Sequence, residues 1–224
     1  MTRWLRAAAL AALIPILFAG CARATWQPLW STPLPGSTKA TTAPATSPKS
    51  TALPILELFQ KDADSMTSPH VVVLKSKRLL ELYDGDTLMA RMKIALGTTP
   101  EGPKTKDGDG KTPEGSYYIC ATNANSKHYK SLCISYPNEG DALRGLGLGL
   151  ISEAQYDSIV NAIEAKEQPN WKTDLGGEIA IHGLSDEDKD KTGDWTVGNI
   201  AVTNEQMDYL WKYLKKGAEV VIQP

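Results

Sequence analysis

From Ser31 to Ala52 the chain is almost wholly Ser, Thr, Pro and Ala, with Leu34 its only bulky apolar side chain. Such a stretch cannot bury enough surface to offset the entropy of ordering it. Its prolines favour extended backbone at about 3.1 Å per residue, so the segment reaches up to roughly 70 Å. A packed core must therefore come from residues 53–224, a length ample for one domain.

The residues before that stretch read as an address. Arg3 and Arg6 make a positive start, and Ala7 to Phe18 is a 12-residue apolar run. That run is too short to cross a bilayer as a helix. Ala19-Gly20 supplies the small residues a signal peptidase needs, so residues 1–20 are expected to be an export signal. Phe18-Ala19-Gly20-Cys21 resembles a bacterial lipobox. That resemblance makes Cys21 the lipidated first residue of the mature protein and residues 21–52 a flexible tether. The other reading is a plain secretory signal with an incidental cysteine. Export implies the periplasm. Ala22 stands where Asp retains many Gram-negative lipoproteins at the inner membrane, so by the same resemblance the outer membrane is expected. Removing Arg3 and Arg6 takes the formal net charge from -2 to −4. Acyl chains, and not attraction to anionic lipid, would then hold the protein at a membrane. The sequence pI near 6.0 also argues against nucleic acid as a partner, because phosphate binding needs a basic face.

Within 53–224 the dominant signal is β. Ile55, Leu56, Leu58 and Phe59 suggest one short helix over 53–62. Val71 to Leu74 and Leu79 to Tyr83 then read as strands about a turn at Ser76-Lys77. Asp84-Gly85-Asp86 turns the chain into a strand over Thr87 to Leu96. Residues 97–115 form a Gly/Pro/Asp/Lys loop. Ser116 to Ala121 and Ser131 to Tyr136 make a second strand pair, and Glu178 to His182 and Ala218 to Ile222 complete the set. Two helices carry capping boxes, Ser152 with Gln155 and Thr203 with Gln206, and both continue with apolar residues at helical spacing. Lys215-Lys216-Gly217 is the expected stop of the second. The fold class is mainly β with a few helices.

Three segments carry more specific information: Lys111-Thr112-Pro113-Glu114-Gly115-Ser116-Tyr117; Ile134-Ser135-Tyr136-Pro137-Asn138; and Ile181-His182-Gly183 followed by Asp194-Trp195-Thr196-Val197-Gly198-Asn199-Ile200-Ala201-Val202-Thr203-Asn204. Together they resemble the YkuD-type L,D-transpeptidase family, from about His70 to Ile222. The resemblance implies a β-sandwich or barrel domain acting on diaminopimelate-containing peptidoglycan stem peptides. In that family a Cys thiolate attacks the carbonyl between L- and D-centres, and the acyl-enzyme passes to an amine or to water. A nearby His activates the thiol and backbone N–H groups steady the oxyanion. By resemblance His182 is that histidine, and Gly183 supplies the carbonyl that orients it. Gly198 precedes the nucleophile, and Thr196 is the Ser/Thr of the nucleophile turn. No cofactor or metal is implied.

The nucleophile position itself holds Asn199. Sixteen residues separate it from His182, the family spacing, so the change is a substitution. A carboxamide does not ionise and is a poor nucleophile, so the resemblance implies acylation lost at this residue. One reading is an L,D-transpeptidase-family enzyme with an altered nucleophile, natural or engineered. Another is a non-catalytic peptidoglycan-binding or scaffolding lipoprotein. Hydrolysis by His182 with a water or Thr196 ranks last, since no second carboxylate or metal is evident.

Cys120 and Cys133 lie on neighbouring expected strands. They are a displaced nucleophile, a cross-strand disulfide, or two buried thiols. His128 reads as a surface residue in a region that, in the family, borders the cleft, and His70 has no evident partner. Asp107-Gly108-Asp109-Gly110 lacks the rest of a calcium loop and reads as a turn. Gly145, Gly147 and Gly149 do not fit a dinucleotide fingerprint. Asp186, Glu187, Asp188 and Asp190 read as a solvated acidic loop.

Overall fold

The computed structural model describes residues 57–58 and 65–224. The export signal, Cys21, the tether and most of the helix expected over 53–62 lie outside them. Glu57–Leu58, inside that expected helix, is instead a short strand, β1, paired with the chain at Ala90 and Arg91.

The expected hairpins form as β2 (Pro69–Leu74), β3 (Leu79–Asp84) and β4 (Thr87–Lys93). β5 (Gly115–Ser126) and β6 (Tyr129–Ile134) follow, and pair out to Ser126 and Tyr129. Part of what reads as a polar loop is thus ladder. β7 (Ala180–His182), β8 (Ile200–Ala201) and β9 (Glu219–Gln223) complete one nine-stranded sheet in the order β1-β4-β3-β2-β9-β5-β6-β7-β8. Bridges from Ala95 to Ala201 and from Gly97 to Thr196 join the segment after β4 to the β8 end. The sheet curls until its far end is tied back, which removes most of one open edge.

The described residues hold three helices: α1 (Glu139–Gly147) and α2 (Glu153–Glu164), which pack on each other, and α3 (Asn204–Tyr213), which packs on β6. The Ser152/Gln155 and Thr203/Gln206 boxes are made. α1 was not expected. Its N-cap is Asn138, which exchanges hydrogen bonds with Asp141 at 2.9 and 3.0 Å. Gly145 lets it approach Leu175, whose side chain a Cβ would meet at 2.7 Å. α3 ends at Leu214, which is extended, so Gly217 (φ +94°) serves the turn into β9 and not the helix cap.

The inner face of the sheet supplies Leu80, Leu82, Met92, Leu132, Ile181 and Ile200, all fully buried, and α3 adds Met207 and Leu210. Each such side chain contributes about 1.5–3 kcal/mol relative to exposure. Ala142, Ile159 and Leu175 make a satellite core under α1 and α2.

The 97–115 loop is held from inside by a charge. Lys75 is 2% exposed, and its ammonium donates to Gly102 O (2.7 Å), Thr112 O (2.8 Å) and Glu114 Oε1 (2.8 Å). Lys75→Met would leave these acceptors without their cation. We expect a loss of about 3 kcal/mol and a fall in Tm of roughly 6–12 °C. A shift under about 1 °C in a thermal melt would show that the loop is held by other contacts.

Candidate active site

β7 is the axis of a cavity of about 490 Å³. Ile181 turns into the core, and strand alternation sends Ala180 and His182 to the other face, where both line the cavity. On one flank β6 runs antiparallel, with Ser131 opposite His182 and Cys133 opposite Ala180. On the other flank β8 runs parallel, with Ile200 beside Ile181 and Ala201 beside His182. Asn199, one residue before β8, falls beside Ala180, and its Oδ1 accepts the Ala180 N–H at 3.1 Å. Cys133, Ala180 and Asn199 therefore form one row across the floor, and Ser131 and His182 lie in the next.

His182 is held on every side. Its Nδ1–H donates to Gly183 O at 2.6 Å, which leaves Nε2 as the lone-pair nitrogen. No hydrogen bond reaches Nε2 among the described residues, and His182 lines the cavity. The Gly183 carbonyl is steadied in turn. Asn204 accepts from Leu184 N–H at 2.6 Å and donates to Leu184 O at 3.1 Å. His128 stacks on the imidazole with ring centroids 4.6 Å apart, and Trp195 meets it edge-on at 6.0 Å. Burial pushes the His182 pKa down to about 4; the bond to Gly183 opposes this and the neighbouring His128 adds to it.

The turn before β8 is equally fixed. Buried Thr196 donates from Oγ1 to Asn199 O at 2.7 Å and accepts from Gly198 N–H at 3.1 Å. Gly198 has φ +129°, and a Cβ there would lie 2.7 Å from Lys111 O, so only glycine fits. Asp194 ties the segment to the sheet through Leu96 N–H (3.0 Å) and Arg78 (2.8 Å). His182, Gly183, Thr196, Gly198 and Asn199 thus converge on one site. Cys120 and Cys133 are free thiols; Cys120 is buried, whereas Cys133 lines the cavity.

The sequence matches the L,D-transpeptidase catalytic domain family (YkuD) over residues 68–222. The chain belongs to this family. Among curated proteins it resembles YafK of Escherichia coli K12, at 33% identity over 87 residues. That match covers 36% of this chain and 35% of YafK. Among solved structures, the helical cell shape determining protein Pgp2 from Campylobacter jejuni superposes with a TM-score of 0.50 at 19% identity. It covers 79% of this chain and 52% of Pgp2. The chain thus spans about a third of the one relative and about half of the other, and the second likeness is one of fold.

Two residues outside the motif segments pack around His182. His128 is not a free surface residue: besides stacking on His182, its Nδ1 lies 2.6 Å from Asp188 Oδ2. Asp188, expected in a solvated acidic loop, is 3% exposed. It also accepts from Ser185 Oγ and Lys191 Nζ, each at 2.6 Å. Burial opposes its ionisation, but the bonds from Lys191, Ser185 and His128 hold the carboxyl well below the usual range. A Ser-x-x-Asp spacing from Ser185 to Asp188 was the available signal. The Asp107–Gly110 stretch is the turn expected of it: the Asp109 carboxylate takes Lys104 Nζ (2.9 Å) and the N–H groups of Thr105 and Lys111.

His182 is buried neutral, so the unfolded chain binds its proton first as pH falls. Stability is whole above the unfolded value of 6.5 and is lost as pH drops toward about 4. The His182 imidazole C–H resonance should titrate with a midpoint near 4, and this residue should account for about 3 kcal/mol of acid lability. A midpoint at or above 6 would contradict the burial argument.

Proposed function

We propose that this L,D-transpeptidase-family domain receives diaminopimelate-containing peptidoglycan stem peptides in the β6–β7–β8 cavity and forms no acyl-enzyme through residue 199. The observation that supports this reading is that an oriented imidazole and a fixed turn meet around a side chain that cannot ionise. His182 is oriented by Gly183, the Thr196–Gly198 turn is locked, and the cavity is open. Asn199 lines the cavity and spends its Oδ1 on Ala180 N–H, which leaves the Nδ2 amide group as its free donor. An amide donor can hold a peptide carbonyl but cannot attack it. The lining also suits a zwitterionic side chain, since it includes Asp107, Glu178 and Lys127. Diaminopimelate bears both an amine and a carboxylate.

This reading makes the domain a binding or scaffolding module at the wall, without catalysis at 199. The export signal and the Cys21 lipobox support a place in the periplasm, tethered to a membrane by acyl chains, with Ala22 favouring the outer membrane. A mature N-terminus at Cys21 carrying acyl mass, lost in Cys21→Ala, is the expected mass-spectrometric result; an unmodified N-terminus elsewhere would refute the anchor.

The test of the main reading is co-sedimentation with purified sacculi of diaminopimelate type. Binding should be saturable, displaced by free tetrapeptide, and weakened at least tenfold by Trp195→Ala, which removes the ring against His182. Asn199→Cys should add a thiol that a carbapenem acylates at residue 199. Absence of sacculus binding, or a residue-199 thiol that stays inert beside His182, would count against the reading.

A further inference from the structure

Residue 199 is one of two seats beside His182. β7 lies between β6 and β8, and positions 133 and 199 occupy opposite ends of the row that crosses Ala180. Each is one strand away from β7 and one row away from His182. Diagonal neighbours of this kind sit about 7–8 Å apart at Cα, within reach of an imidazole leaning along its strand. Between the two seats the floor is only the Ala180 methyl, which leaves room for a planar peptide group. Cys133 fills the second seat, and it lines the same cavity as His182 and Asn199.

We infer that Cys133 is the nucleophile of this cavity, with His182 Nε2 as its base and the Asn199 carboxamide as a donor to the oxyanion. The substrate side of this inference rests on the stem-peptide reading above. Cys133 is not lost to a disulfide and is partly open, whereas Cys120 is 3% exposed, donates to Cys133 O at 3.5 Å and is pushed up to about 12 by burial. His182 is 2% exposed, has one uncommitted ring nitrogen, and lines the cavity that holds the thiol. Asn199 cannot replace a sulfur, but with Oδ1 held by Ala180 N–H its Nδ2 is left as the amide's donor, in the same row as Cys133.

The step balances without a further reactant. Cys133 Sγ attacks the carbonyl carbon of a bound stem peptide as its proton passes to His182 Nε2. The carbonyl π pair moves to oxygen and is met by Asn199 Nδ2–H. The C–N bond then breaks, the departing amine takes the proton from Nε2, and a thioester on Cys133 remains. Water or an acceptor amine releases the acyl group and restores the thiol. Burial pushes the Cys133 thiol up, against a hydrogen bond from Ser131, so the resting pair is thiol and neutral imidazole. Proton transfer therefore accompanies attack and does not precede it.

The experiment uses the full chain, a carbapenem as acyl donor, and peptide mapping that separates Cys21, Cys120 and Cys133. Sacculi are treated in parallel and their muropeptides analysed. The expected result is an adduct on Cys133 and new muropeptides, both absent in Cys133→Ser and unchanged in Cys120→Ser. His182→Gln should slow acylation about 100-fold or more, and Asn199→Ala should slow it by a comparable factor. Retained sacculus binding by Cys133→Ser shows that this variant is folded. An adduct that forms as fast in His182→Gln shows a merely accessible thiol and overturns the inference. Sacculus binding with neither adduct nor muropeptide product also overturns it, and leaves the stem-peptide reading standing. Loss of both binding and acylation in the unaltered chain removes the two together.

Discussion

A slip of one residue in β6 against β7 would turn Ser131 and Cys133 under the sheet and push Leu132 and Ile134 into the cavity. The register that prevents this is set by burial. Leu132, Ile134, Ile181 and Ile200 are all fully enclosed, and strand alternation leaves their neighbours no choice of face. The site is the other side of that hydrophobic decision. Ser131, Cys133, Ala180, His182 and Asn199 meet because the core residues between them must be inside. The loops then fix what the sheet has placed: Thr196 and Gly198 lock the turn, and Lys75 holds the loop over Thr112, whose hydroxyl accepts from Gly97 N–H.

Much of this was legible in the sequence because its signals were local. The Ser152 and Thr203 capping boxes name their own helix starts, and β-branched runs beside Gly-Asp turns name β2 to β4. α1 was missed because Gly145 and Gly147 lower helix propensity, while the cap that starts it is an Asn–Asp pair at 138 and 141. The glycine is there for contact with Leu175, which is far away in sequence. The supposed helix near residue 57 fails for the same kind of reason, since pairing with β4 overrides local pattern.

The site shows the same divide. His182, Gly183, Thr196, Gly198 and Asn199 could be placed from a motif with fixed spacing. Asp188 could not, because its burial depends on His128 arriving from another hairpin, with Ser185 and Lys191 completing its partners. Cys133 was legible as a thiol on a strand, but its place in the cavity depends on which strand lies next to it. Spacing along the chain finds residues that share a turn. Residues that share a cavity from separate strands become visible only once register is known.

The central claim is that a peptide group bound here lies over Ala180, between the residue-133 and residue-199 side chains and under His182 Nε2. A crystal structure of the protein with a diaminopimelate-containing tetrapeptide tests it most directly. The account predicts a backbone carbonyl of the ligand above the Ala180 methyl, its oxygen toward Asn199 Nδ2 and its carbon facing Cys133 Sγ. A ligand seated outside the β6–β7–β8 cavity, or a His182 ring turned so that Nε2 faces away from it, would contradict the account.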